Sequence, residues 1–395
     1  MIEVHGNWET AKVFTDICEE EAIAQIRNLL NQEFMKDTHP RFMPDVHAGK
    51  GCVVGTTMRI TDKVCPNLVG VDIGCGMLTI ELDETDIDFQ KLDELLNNGK
   101  TVPSGFHQRE TAHQNLSHTR LNELTCLDAV DLDTAEKSLG TLGGGNHFIE
   151  INQSTNGTFY LVIHTGSRHL GNDVCRYHQN KAIKACQIGD KKELIERLKF
   201  EGKTKEIQTK LNKLHDAKVP DNLAYVSGKD FRAYLHDMKI TQEYAVWNRK
   251  TIAEEIIKAM HWKVKSSFTT IHNYIDTEDM ILRKGAISAK KDEIVWIPLS
   301  MRDGAIIAKG KGNPDWNYSA PHGAGRSLSR TQARKQLDVK AFADQMVGIY
   351  TTCIGETTLD EAPDAYKPAE SIFKNIHDTV EILNIMKPVY NFKAH

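Results

Sequence analysis

Five histidines in this chain share one local setting. They are His47 in MPDVHAGKG, His147 in LGGGNHFIE, His164 in LVIHTGSR, His272 in TTIHNYI and His322 in APHGAGR. Each stands beside glycine or at the end of an apolar run, where a sheet meets a loop, and loops held by a rigid scaffold concentrate binding and catalytic residues. A single histidine of this kind is more often structural. Five of them, joined by Asp72 and Cys75 of VGVDIGCGM, make a donor set. Neutral imidazole and thiolate suit borderline divalent transition metals, and a carboxylate extends the range toward manganese. A thiolate sulfur has several lone pairs, so Cys75 is able to bridge two ions, with Asp72 in reach of one. Two ions about 3.5–4 Å apart form a clamp for phosphoryl transfer. VGVDIGCGM itself reads as a tight loop, because a buried strand disfavours Asp72 and a helix disfavours Gly74 and Gly76.

Anion-binding residues accompany the donors. In HGAGRSLSR, Gly323 and Gly325 can turn backbone N–H groups toward a phosphate ahead of a helix N-terminus. Arg326 and Arg330 are four residues apart, which predicts one shared helix face. Arg168 in TGSRHLGN offers a third guanidinium. The nucleotide loop G-x-x-x-x-G-K-[ST], the zinc motif H-E-x-x-H and the nucleophile elbow G-x-S-x-G are all missing from the chain.

These loops need sheets behind them. CVVGTTMRI, MLTIEL, TFYLVIH, SSFTTIHNYI, DEIVWIPLS and GAIIAKG predict strands, and EEEAIAQIRNLLNQEF predicts a helix burying Ala22, Ile26, Leu29 and Leu30. Residues 173–262 hold few glycines and many helix formers, which predicts a helical insertion of two or three long helices. The Lys- and Arg-rich first half of that insertion reads as a solvated face rather than a nucleic-acid contact. With 395 residues, 40% hydrophobic, the expected fold is α/β: a single compact mixed α/β catalytic body spanning the chain and carrying that insertion.

A net charge of −5 excludes a global basic field, so any nucleic acid must bind locally. The eight cysteines are scattered without a C-x-x-C pair, which points to reduced thiols and a cytoplasmic location. MIEVHGNWETAK lacks the apolar region of a signal peptide, and no run approaches the roughly 18 apolar residues of a membrane span, so no membrane association is expected.

Taken in order, MPDVHAGKG, VGVDIGCGM, LGTLGGGNHFIE, HTGSRHLGN, HNY, RKGAISA, HGAGRSLSR and DEAPDAYK resemble the RtcB family of RNA ligases, from about residue 40 to the C-terminus. The resemblance implies a GTP- and Mn²⁺-dependent enzyme acting in RNA repair or tRNA splicing. It would join a 2′,3′-cyclic phosphate or 3′-phosphate RNA end to a 5′-hydroxyl, through a histidine–GMP intermediate and a 3′ end activated by GMP. Carried over, Cys75 would bridge two metals, His164 and His272 would complete one, and Asp72 and His147 the other. His322 would be the nucleophile. Asn146, Glu150, Ser300, Arg326 and Lys393 would contact the nucleotide. Arg168, Arg326 and Arg330 would hold phosphates of GTP or RNA, and Asp45 and His47 would support the centre.

A monomer is expected, and zinc or cobalt can replace manganese on purification. Where the family reads PGSMG, this chain reads PLSMRDG at 298–304, and Pro321 precedes His322 in place of a serine or cysteine. Both departures suggest a divergent, repair-type branch. The competing reading is a metal-dependent RNA-end phosphohydrolase or cyclic phosphodiesterase, which would share the metals but have no use for His322 as a nucleophile or for Lys393.

Overall fold

The computed structural model describes residues 1–49, 51–212 and 219–394. Lys50 of MPDVHAGKG, residues 213–218 of the expected helical insertion and the terminal His395 lie outside the described residues.

Two sheets carry the molecule. The smaller has six strands in the order Ile2–His5, Thr10–Val13, Arg41–His47, Val54–Arg59, Ile281–Lys284 and Asn273–Asp276. The larger has seven, in the order Val264–Ile271, Gly76–Leu82, Phe159–Thr165, Phe148–Gln153, Val380–Phe392, Ala305–Gly310 and Ile294–Pro298. The stretch TFYLVIH becomes a central strand with side chains buried on both faces. Phe159, Leu161 and Ile163 pack into one cluster and Val162 into another, which explains its unbroken apolar character.

Strand register does the assembling. Ile271 pairs with Gly76, Gly76 with Thr165, and His164 with Phe148. Consequently His272, Cys75, His164 and His147 stand at the same end of four neighbouring strands, although they are spread over almost 200 positions of sequence. Phe392 pairs with Ile149, which brings Lys393 to that end as well. His272 also separates the Val264–Ile271 strand of one sheet from the Asn273–Asp276 strand of the other, so it sits where the two sheets meet.

Two helices of 33 residues each, Arg168–Phe200 and Gly228–Met260, occupy the helix-rich region. The second is structural in the strict sense. Its Tyr234, Met238 and Tyr244 belong to the largest apolar cluster, and its Ile252, Ala253 and Ile256 to the next. Its Arg249 is fully buried and donates to the carbonyls of Gly74 (2.8 Å) and Thr165 (2.7 Å). Its Asn248 accepts from the Gly140 amide (2.7 Å) and donates to the Gly166 carbonyl (3.1 Å). One helix thus clamps three loops that flank the site-bearing strands. Gly74 (φ +73°) must be glycine, because a Cβ there would lie 2.8 Å from Gln242 Cα on this helix. The expected Ala22, Ile26, Leu29 and Leu30 face is buried on the Glu20–Leu30 helix.

Candidate active site

Cys75 lies at the centre of two donor groups. Its sulfur is 3.4 Å from His164 Nε2 and 3.6 Å from His147 Nε2. His164 Nε2 is 3.4 Å from His272 Nε2, and His147 Nε2 is 3.0 Å from an Asp72 carboxylate oxygen. Cys75, His164 and His272 have their donor atoms within 4.8 Å of one another, and so do Asp72, Cys75 and His147. The ring tautomers follow from the partners. Nδ1 of His147 faces the Leu142 carbonyl at 3.0 Å, and Nδ1 of His164 faces the Asn146 carbonyl at 3.1 Å. A carbonyl can only accept, so both rings carry their proton on Nδ1 and turn the Nε2 lone pair to the cluster.

The electrostatics suit cations. Burial pushes the Cys75 thiol well up, and the adjacent Asp72 carboxylate adds to it. Burial, then neighbouring rings, hold His164 and His272 well below the usual histidine range. Burial alone would raise Asp72, but when the His147 ring is protonated on both nitrogens its Nε2–H hydrogen bond and its charge outweigh burial and hold the carboxyl at about 2. Neutral imidazoles, a carboxylate and a shared sulfur fit a pair of borderline divalent ions.

His322 stands next to this cluster, its ring centroid 4.9 Å from that of His272. Fully buried Asp45 holds it. One Asp45 oxygen accepts from His322 Nδ1 (2.6 Å), the His322 amide (3.1 Å) and the Gly323 amide (3.3 Å). The neutral ring therefore carries its proton on Nδ1 and leaves Nε2 as a nucleophile. Gly325 (φ +74°) packs against the Asp45 backbone, where a Cβ would meet its carbonyl oxygen at 2.3 Å. His47 donates from Nδ1 to the Asp45 carbonyl at 2.8 Å. Its burial lowers its pKa to about 4.

These groups open into a cavity of about 750 Å³ whose walls include Asn146, Phe148, Glu150, Ser300, Arg326, Arg330 and Lys393. Glu150 is buried, and it accepts from Asn152 (3.1 Å) and Asn391 (2.5 Å). Burial raises its pKa to about 7. Lys393 Nζ pairs with Glu361 at 3.1 Å and lies 5.4 Å above the Phe148 ring.

One expectation needs correction, and two further site residues have neighbours that the motifs did not show. Arg326 and Arg330 do not share a helix face. The helix is Arg330–Gln336, fixed at its start by a Ser329–Gln332 capping box, and Arg326 lies before it in a bridge to Tyr366. The two arginines converge through tertiary contact on Glu361, at 3.2 Å and 3.7 Å. Arg168 lines an adjoining cavity that shares Asn172, Arg330 and Glu361 with the first. Its guanidinium donates to Thr141 Oγ1 (3.2 Å) and the Gly105 carbonyl (3.3 Å). The Ser300 hydroxyl is engaged within its own turn. It donates to Asp303 at 2.8 Å and accepts from the Asp303 amide at 3.0 Å, a consequence of the inserted Arg302-Asp303.

Glu361 is the main residue that motif reading passed over. Burial would raise it, but Lys393, Arg330 and Arg326 hold its carboxyl at about 2. It also accepts from the Tyr366 hydroxyl at 2.6 Å. Both residues lie in DEAPDAYK, so their signal was present.

A family model described as tRNA-splicing ligase RtcB matches residues 25–129 and 127–394. RNA-splicing ligase RtcB1 of Escherichia coli strain ATCC 25922 is 30% identical over 415 aligned positions, covering 95% of each chain. RNA-splicing ligase RtcB of Escherichia coli K12 is 29% identical over the same span and coverage. tRNA-splicing ligase RtcB of Methanococcus maripaludis is 25% identical, covering 98% of this chain and 94% of its own.

Proposed function

This chain belongs to the RtcB family, and we propose that its RNA-ligase activity joins a 2′,3′-cyclic phosphate or 3′-phosphate end to a 5′-hydroxyl end with consumption of GTP. The observation that carries the reading is His322, oriented by Asp45 beside a sulfur-centred donor cluster. A 3′-phosphate is a poor electrophile because its leaving group would be hydroxide. Attaching GMP to it supplies a good one. His322 Nε2 attacks the α-phosphorus of GTP, an N–P bond forms and pyrophosphate leaves. Asp45 accepts from Nδ1 throughout and compensates the positive charge that grows on the ring. A 2′,3′-cyclic phosphate end is first hydrolysed, water adding at phosphorus as the P–O2′ bond breaks and the 2′-oxygen takes up the proton. An oxygen of the resulting RNA 3′-phosphate then attacks the GMP phosphorus and His322 leaves. The 5′-hydroxyl finally attacks the 3′-phosphorus, forming the phosphodiester and releasing GMP.

Asp72 and His147 would hold one divalent ion, His164 and His272 a second, with Cys75 between them. Bound there, manganese would supply charge neutralisation and in-line orientation for the phosphoryl oxygens. Glu150 and Asn146 would contact the guanosine, and Lys393 and Arg326 its phosphates. Arg330 and Arg168 would guide RNA phosphates. Asp303 occupies the Ser300 hydroxyl, which supports a nucleotide contact different from that of the main branch. The eight cysteines are free thiols, which supports a protein working under reducing conditions, as in a cytoplasm. Among the described residues no helix is long and apolar enough to cross a membrane.

Incubation with Mn²⁺ and GTP labelled at the α-phosphate tests the reading. Label should stay on denatured protein, acid-labile and base-stable, whereas γ-label should not. RNA-end hydrolysis without any labelled protein would favour the phosphohydrolase.

A further inference from the structure

Beyond Asp72 the cavity continues along one stripe of the Arg168–Phe200 helix. Asn172, Arg176 and Asn180 follow at intervals of four, so they share a face, and all three line the cavity. Asn172 is half-buried, and Arg176 and Asn180 are exposed. Among the described residues, none of these three side chains has a hydrogen-bond or ion-pair partner.

The floor beneath them is different. Gln179 accepts from the Asn67 amide (3.1 Å) and donates to the Asp221 carbonyl (2.7 Å), and Asn67 donates to the Asn222 carbonyl (3.2 Å). Floor amides are spent on the fold, whereas the rim polar groups are unspent. The arm on the other side also differs, because its Arg326, Arg330 and Arg334 already face Glu361 or Asp360. The stripe begins at the donor cluster itself. Gly171 lets the Asp72 loop press on the helix, since a Cβ there would lie 2.6 Å from the Val71 carbonyl oxygen. Val71, 54% exposed, offers apolar surface at that junction.

We propose that this stripe is a docking track for single-stranded RNA adjoining a reacting end, with Arg176 on a phosphate and Asn172 and Asn180 on base edges or 2′-hydroxyls. The proposal rests on the RNA-ligase reading and adds where a strand runs and what holds it. Continuity with the donor cluster supports it, as does Arg176, an exposed guanidinium on the cavity wall with no acidic partner among the described residues. An asparagine both donates and accepts, which suits base edges and the 2′-hydroxyl better than phosphate alone. Eight helical residues rise about 12 Å. At roughly 3.4 Å per stacked nucleotide, that is room for three or four.

The test is direct binding of a 3′-phosphate 12-mer and a 5′-hydroxyl 12-mer to the whole protein, by fluorescence anisotropy across a salt series. Arg176→Glu should weaken binding of one of them at least tenfold, and Arg176→Ala should flatten its log Kd against log salt slope by about 0.7. Ligation is then followed with each strand in turn shortened to two nucleotides. Arg176→Glu and Asn180→Ala should raise KM for the long substrate about tenfold, with kcat and protein–GMP formation within twofold of wild type. Shortening the strand that occupies the track should erase the difference, which identifies the strand. Equal Kd and equal salt slope in wild type and Arg176→Glu would overturn the track, as would wild-type protein that binds neither oligonucleotide. A wild type that binds RNA through Arg176 but never joins ends would instead overturn the ligase reading alone.

Discussion

Replacing Asp45 by Asn separates charge from geometry at the nucleophile. One Asp45 oxygen takes three N–H groups, those of His322 Nδ1, the His322 amide and the Gly323 amide. In Asp45→Asn the amide oxygen can take that place, because the reverse orientation would point N–H groups at two fixed backbone donors. The neutral tautomer of His322 therefore survives, and what is lost is the carboxylate charge. A charge-assisted hydrogen bond contributes about 1.5–3 kcal/mol and a neutral one about 1 kcal/mol. Only the bond to the ring strengthens as positive charge develops during attack, so the barrier should rise by about 1–2 kcal/mol, roughly 5- to 30-fold in rate. Asp45→Ala should cost more, about 3 kcal/mol or more than 100-fold, since it also strands two N–H groups and frees the ring. The assay is single-turnover labelling of the protein by α-labelled GTP at saturation, with thermal melts to check that each variant is folded. Labelling by Asp45→Asn within twofold of wild type would refute the argument and reduce Asp45 to a brace for the Gly323 loop.

His322→Ala should abolish the protein–GMP adduct while sparing ligation of an RNA whose 3′ end already carries GMP; loss of that bypass, followed on a gel, would make His322 something other than the nucleophile. Cys75→Ala should lose both ions by metal analysis, because its sulfur is shared by the two donor groups. Gly166→Ala should weaken the Asp72–His147 ion selectively, as a Cβ there would lie 2.1 Å from an Asp72 oxygen; calorimetric titration with Mn²⁺ should find one site of normal affinity. Glu150 titrates near 7 when folded, against an ordinary 4.5. Folding therefore takes up a proton between those values, and stability falls as pH rises through that window. Glu150→Gln should be more stable than wild type at pH 8, by at most about 3 kcal/mol, and gain little at pH 5, as read by urea melts at both pH values.

The chemistry of this chain was legible from residue types and their immediate neighbours. A histidine beside glycine or at the end of an apolar run, repeated five times, reports a loop held by a sheet, and the acid and thiol of VGVDIGCGM report donors with no place in a strand or helix. The strands and the Glu20 helix were likewise written in local periodicity, because burial on one or both faces imposes a repeat of two or 3.6. What the tertiary structure decided was convergence. Arg326 and Arg330 meet at Glu361 without sharing a helix, since a serine cap starts the helix after Arg326 and the acid arrives from a segment about 30 residues later. Ser300 kept its identity but lost its free hydroxyl to the inserted Asp303, a competition that only the folded turn stages. Arg249 and Asn248 gave no local sign of their role, because a buried side chain that clamps distant backbone carbonyls carries no motif of its own. Local sequence can specify which atoms are donors. Their distances depend on strand register, and register is settled by long-range packing that joins segments far apart in the chain.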